Sequence, residues 1–188
     1  MRIFLDKVLP WRAATPADHE KYLVDVAGLP VRRRVTAEQA DAALAGTDLD
    51  FSQRIAAKGL LTADRLISCL VAPAGTGKTH VMAAFAEAWT SLAGGRVIGL
   101  TASENAARVL AGEGMTEAYN IAKFLGKIKD SDQTRSHVPV HEGDVIVVDE
   151  ATQVSTVDAL RIVQIARSAG AAVAGAFDPE QLGVARPR

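Results

Sequence analysis

A single cysteine in 188 residues, Cys69, excludes a disulfide framework and fits a cytoplasmic location. It lies within the apolar run 66–71, where its expected role is a small filler of the core. An excess of basic charge is also missing. With 21 Lys and Arg against 22 Asp and Glu, the net charge is −1, so no overall positive field advertises a nucleic-acid partner. Any such contact must be local, in a groove with its own positive groups. No apolar run approaches the length of a membrane span. The N-terminus Met1-Arg2-Ile3-Phe4-Leu5-Asp6 meets charge too early for a signal peptide. Internal repeats and low-complexity tracts are absent. What remains, 48% hydrophobic and 23% charged, is an ordinary globular composition, long enough for one α/β core and short for two.

The most informative stretch is Ala72-Pro73-Ala74-Gly75-Thr76-Gly77-Lys78-Thr79. It follows the apolar run Leu66-Ile67-Ser68-Cys69-Leu70-Val71 and leads into a helical pattern over 80–93, so strand, glycine loop and helix succeed one another as in a phosphate-binding loop. Gly75 and Gly77 let successive N–H groups turn inward toward an anion, and the helix start adds its positive dipole end. In that setting Ala74 to Gly77 supply the cradle, Lys78 reaches the β- and γ-phosphates, and the Thr79 hydroxyl ligates Mg²⁺.

Around this loop the chain alternates. Thr15-Pro16-Ala17-Asp18 and Thr36-Ala37-Glu38-Gln39 read as helix starts with stops near Gly28 and Gly46. Arg32-Arg33-Arg34 is either a phosphate-backbone contact or a solvated basic face. Leu49, Ile55, Ala56, Leu60 and Leu61 recur at helical spacing, with Gln53 near the start of that segment. Val81, Met82, Phe85 and Trp89 make the helix after the loop apolar around most of its circumference. A buried strand over 96–100 ends at Thr101-Ala102-Ser103, with Ser103 placed as N-cap of a helix over 104–112. The hydroxyls of Thr101 and Ser103 stand at the C-terminal end of a parallel strand, where ligands bind in open α/β sheets. A further helix is expected over 117–125. His137 and His141 straddle Pro139 and so do not share a helical face as a metal pair would.

The strand Asp144-Val145-Ile146-Val147-Val148 stops on two acids, Asp149 and Glu150. Adjacent carboxylates at that point suit a magnesium site: Asp149 to hold Mg²⁺, Glu150 to polarise the attacking water as general base. A helix over 156–169 and a strand over 172–177 follow, leading to Asp178-Pro179-Glu180-Gln181-Leu182. The β-α-β-α alternation predicts an α/β fold, a parallel sheet with helices on both faces.

Four of these segments together resemble the first RecA-like domain of a superfamily 1 DNA helicase, of the RecD-like and TrwC/TraI-type conjugative relaxase-helicase branch. They are the 72–79 loop, Val147 to Gln153, Asp178 to Leu182, and Val97 to Ser103 with Ala106 to Leu110. The resemblance covers residues 49 to 185, after an N-terminal helical segment 1–48, and departs from the family at Phe177 and Gly183. It implies a P-loop NTPase with ATP and Mg²⁺ as ligands. It further implies an adenine contact from Gln53, γ-phosphate sensing by Gln181, and single-stranded DNA at Thr101 and Ser103, whose capping role is an equally open alternative. Such helicases carry a second RecA-like domain that supplies arginine fingers. The chain is expected to need it, in cis or in trans, because the sequence stops at Arg188. The expected fold is therefore incomplete at its C-terminus. The strand 66–71 becomes a sheet edge that residues 3–11 are expected to cover. The histidine cluster and paired tyrosines of a relaxase nicking domain are absent, so the nuclease half is not expected; the intact Lys78, Thr79, Asp149, Glu150 and Gln181 set favours the motor as the expected function. The alternative is a nucleotide-binding module without productive turnover. A guanine-reading Asn-Lys-x-Asp segment is also missing.

Overall fold

The computed structural model describes residues 15–31, 35–115, 117–126 and 138–178. Three helices come first: α1 (Pro16–Ala27), α2 (Ala37–Leu44) and α3 (Phe51–Thr62). Each starts on a reciprocal capping box, Thr15 with Asp18, Thr36 with Gln39 and Asp50 with Gln53, which satisfies two orphan backbone donors per helix. Next come β1 (Ile67–Val71), α4 (Lys78–Ala93), β2 (Val97–Thr101), α5 (Glu104–Gly112), β3 (Glu117–Asn120) and the short α6 (Ile121–Phe124). The chain continues with β4 (Val145–Val148), a 3-10 turn (Ala151–Gln153), α7 (Thr156–Ala169) and β5 (Ala172–Phe177).

Among the described residues the strands form one parallel sheet in the order β1-β5-β4-β2-β3. Strand periodicity divides the core between its faces. Val145 and Val147 of β4 join Phe85, Met82 and Trp89 of α4 and Leu44 and Leu61 of α2 and α3. Ile146 and Val148 point the other way, to Phe124, Ile162 and Val163 beneath α6 and α7. This is the α/β, RecA-like P-loop architecture with helices on both faces. β1 pairs only with β5 among the described residues, so it lies at the sheet edge expected from the sequence, although just ahead of it Leu66 N–H donates to the Leu29 carbonyl at 2.8 Å. Residues 3–11, expected to cover it, lie outside the described residues, as do Arg32 to Arg34.

Two expectations are corrected. Residues 117–120 are not helical: Glu117 to Asn120 pair in parallel register with Ile98 to Thr101, and the helix begins only at Ile121. Tyr119, Ile121, Ala122, Phe124 and Leu125 carry a helical spacing. The backbone bonds offered by the free edge of β2 override it locally. Cys69 is not core filler but exposed. On β1 only Leu70 is buried; Cys69 and Val71 share the opposite face with Ile67, and the packing on that face reaches Ile67 alone.

An ion pair ties the N-terminal ends of β2 and β4. Asp144, 3% exposed, accepts from the Arg96 guanidinium at 2.7 Å and from the backbone N–H groups of Arg96 at 3.0 Å and His141 at 2.9 Å. Burial alone raises the Asp144 pKa, but the hydrogen bonds and charge of Arg96, with the His141 amide, outweigh it and hold the carboxyl below its ordinary value.

Candidate nucleotide site

At the end of β1 the chain makes one more sheet bond, Ala72 N–H to the Phe177 carbonyl at 3.1 Å, and then turns over the sheet. The turn needs left-handed backbone at two positions, and both are glycine: Gly75 at φ 75° and Gly77 at φ 79°. Gly77 is also the N-cap of α4, whose first N–H groups face the loop. A second constraint acts on Gly77: a Cβ there would fall 2.6 Å from Gln53 Nε2. Within the loop the Thr76 hydroxyl donates to the Pro73 carbonyl at 2.8 Å. The Lys78 ammonium folds back to donate to the Ala72 and Pro73 carbonyls at 2.8 and 3.0 Å.

Gln53 reaches this loop from α3. Its Oε1 accepts from the Asp50 N–H at 3.1 Å as half of the capping box, and its Nε2 donates to the Thr76 carbonyl at 3.1 Å. A carboxamide has two donors and two acceptor lone pairs, so one of each is engaged and the amide plane is fixed. Gln53, Thr76, Gly77 and Lys78 line a cavity of about 700 Å³ on the α3 side of the loop.

The two acids arrive from β4. Asp149 N–H still donates to the Leu100 carbonyl at 2.9 Å, after which the strand ends. Glu150 takes φ 50° and ψ 48°, the left-handed region, and is the one non-glycine with positive φ among the described residues. That conformation costs about 1–2 kcal/mol for an L-residue. Backbone strain of this kind concentrates at functional sites. Glu150 N–H donates to Asp149 Oδ1 at 3.0 Å, and the Gln153 amide donates to Glu150 Oε2 at 2.6 Å.

Ala74, Gly75, Gly77, Lys78, Thr79, Asp149 and Glu150 line one cavity of about 660 Å³. A backbone cradle, an ammonium, a hydroxyl and two carboxylates therefore meet above the C-terminal ends of β1, β4 and β5, the ligand-binding end of an open α/β sheet. The hydroxyl of Thr79 and the carboxylate of Asp149 are the hard oxygen donors that Mg²⁺ prefers, and an ion held by few protein ligands keeps the rest of its shell as water and phosphate. Among the described residues no group of three or more His, Cys, Asp or Glu side chains is arranged so as to hold a metal ion by itself.

The same cavity wall includes Glu113, His80 and Asp178. Glu113 follows the end of α5 and belongs to no motif; only the return of α5 beside the loop brings it there. His80 pairs with Asp48 at 2.9 Å. Asp178 stands at the head of the segment containing Gln181, which itself lies outside the described residues. Thr101 is 2% exposed and donates inward to the Ser103 carbonyl at 2.8 Å, so its hydroxyl is not presented outward. Ser103 is exposed, and its hydroxyl caps α5 by accepting from Ala106 N–H at 3.1 Å. No helix among the described residues is long and apolar enough to cross a membrane.

Comparison with known proteins agrees with this geometry. The family described as "AAA domain" matches residues 48–186. "Probable conjugal transfer protein TraA" of Sinorhizobium fredii (strain NBRC 101917 / NGR234) is 32% identical over 134 residues. That match takes in 71% of this chain and 12% of the relative, so the chain spans only a small part of that protein.

Proposed function

Because this chain belongs to the AAA domain family, we propose that it is the ATP-binding, ATP-hydrolysing motor portion of a DNA helicase of the conjugative relaxase type. The observation that carries the reading is the convergence of the glycine loop and the Asp149-Glu150 pair on a single cavity. The conjugal-transfer name of the relative supports the biological setting.

In this reading the N–H groups of Ala74 to Gly77 and the start of α4 hold the phosphates, and Lys78 leaves the Ala72 and Pro73 carbonyls to meet their charge. Thr79 and Asp149 hold Mg²⁺, which neutralises charge on the phosphates. Glu150 orients the attacking water and accepts its proton. Gln53, with one donor and one acceptor still free on a fixed amide plane, faces the adenine. Gln181 contacts the γ-phosphate and relays its presence to single-stranded DNA. On the DNA side Ser103 makes the contact and Thr101 supports it from beneath by holding the Ser103 carbonyl. A second RecA-like domain, in cis or in trans, completes the site.

The second reading is a module that binds nucleotide without productive turnover. Steady-state ATP hydrolysis with and without single-stranded DNA, for the wild type and Glu150→Gln, separates the two. The motor reading expects DNA-stimulated hydrolysis that falls about 10²–10⁴-fold in Glu150→Gln while ATP binding persists. Binding without any Glu150-dependent hydrolysis would leave only the second reading.

A further inference from the structure

Glu150 is held by a residue that the sequence reading gave no role. We infer that Gln153 is a positioning residue for hydrolysis: its side-chain amide fixes the Glu150 carboxylate above the phosphate cavity. The inference rests on the hydrolytic reading of Glu150 given above.

Three observations carry it. The backbone at Glu150 is left-handed, so its side chain leaves the main chain in a direction that the neighbouring strand and helix geometries do not provide. A carboxylate on such a backbone needs an anchor to keep one orientation. The anchor present is Gln153 Nε2, which donates to Glu150 Oε2 at 2.6 Å. That bond is not needed to close the 3-10 turn. The Gln153 backbone N–H already donates to the Glu150 carbonyl at 2.9 Å and closes it. The side-chain bond thus serves the carboxylate alone. It leaves the second oxygen, Oε1, as the one available to a water molecule, since a general base must lie within hydrogen-bond reach of the proton it takes.

Gln153 is itself exposed and lines a separate cavity of about 570 Å³ with Leu125, Val154 and Arg161, so the bond to Glu150 is made at the surface.

The test compares the wild-type chain with Gln153→Met, which keeps length without a donor, and Gln153→Glu, which keeps shape and sets a second negative charge against Glu150. Hydrolysis is read as kcat and KM, with binding of a fluorescent ATP analogue measured separately. The expected result is a kcat lower by roughly ten- to a hundredfold in both variants, the cost of a misplaced catalytic group, with KM and analogue affinity unchanged. Adding Gln153→Met to Glu150→Gln is expected to cause no further loss. Wild-type kcat in Gln153→Met overturns the inference, and so does a full, additive loss in the double variant. A readout independent of turnover is the Gln153 side-chain amide in a ¹⁵N–¹H NMR spectrum. One of its protons is expected far downfield in the wild type and at the ordinary position in Glu150→Ala. A resonance indifferent to Glu150 overturns the contact itself. If the wild type hydrolyses no ATP, the hydrolytic reading fails, and the NMR comparison still decides whether Gln153 holds Glu150.

Discussion

Gly77 carries two independent demands, a backbone at φ 79° and a side-chain volume of zero beside Gln53. Gly75 carries only the first, with open space where a Cβ would point. The two glycines are therefore expected to respond differently to the same substitution. Gly75→Ala adds left-handed strain alone, about 1–2 kcal/mol, and leaves the loop in place. Gly77→Ala adds the strain and also expels the Gln53 amide from Thr76, so it loses more stability and most nucleotide affinity. Thermal melting together with binding of a fluorescent ATP analogue measures both. Equal effects of the two substitutions would mean that the Gln53 contact has no part in shaping the loop.

Among the strands, β2, β4 and β5 are buried along most of their length, and the N-terminal ends of β2 and β4 are cross-linked by the Arg96-Asp144 pair. Removing Arg96 leaves a nearly fully buried carboxylate with only backbone partners. A fully buried pair broken this way costs about 3–5 kcal/mol; with Arg96 a third exposed, Arg96→Ala is expected to cost about 2–3 kcal/mol in a melting experiment. The pH dependence has a definite sign. Asp144 binds its proton less readily in the folded chain than in the unfolded one, so it contributes stability above the unfolded carboxyl pKa. That contribution is lost as pH falls through the lower, folded value. Denaturant midpoints measured between pH 7 and pH 3 should therefore fall more steeply for the wild type than for Asp144→Asn. The opposite ordering would mean that burial, and not Arg96, dominates the carboxyl.

Taken together, the parallel sheet leaves β1 at one side, and the apolar or thiol side chains of Cys69 and Val71 reach the surface there. Cys69 is exposed, yet desolvation of its sulfur pushes the thiol pKa up. Alkylation of the native chain is thus expected to go to completion without denaturant. At pH 7.5 it should run more slowly than for a free cysteine, and it should accelerate as pH rises, because the thiolate is the nucleophile. Mass-spectrometric quantitation over time checks this. Protection of Cys69 until denaturant is added would mean that the edge is covered in solution.

The parts of the molecule that follow from local chemistry were legible in the sequence. Thr15, Thr36, Ser103 and Ser155 cap helices because a hydroxyl oxygen three residues before an orphan N–H needs no tertiary context. The glycine loop was legible because Gly75 and Gly77 solve a backbone problem that other residues solve poorly, and the paired acids Asp149 and Glu150 because they end an apolar strand downstream of such a loop. Tertiary structure decided whatever depended on a partner from elsewhere in the chain. Residues 117–120 became β3 because β2 offered an open edge. Cys69 came to the surface because the packing on its face stops at Ile67. Glu113 reached the cavity beside the glycine loop because α5 returns there, and the Thr101 hydroxyl turned inward to Ser103. Gln153, an ordinary polar residue in sequence, became the anchor of Glu150 through one left-handed backbone angle that no local pattern announces.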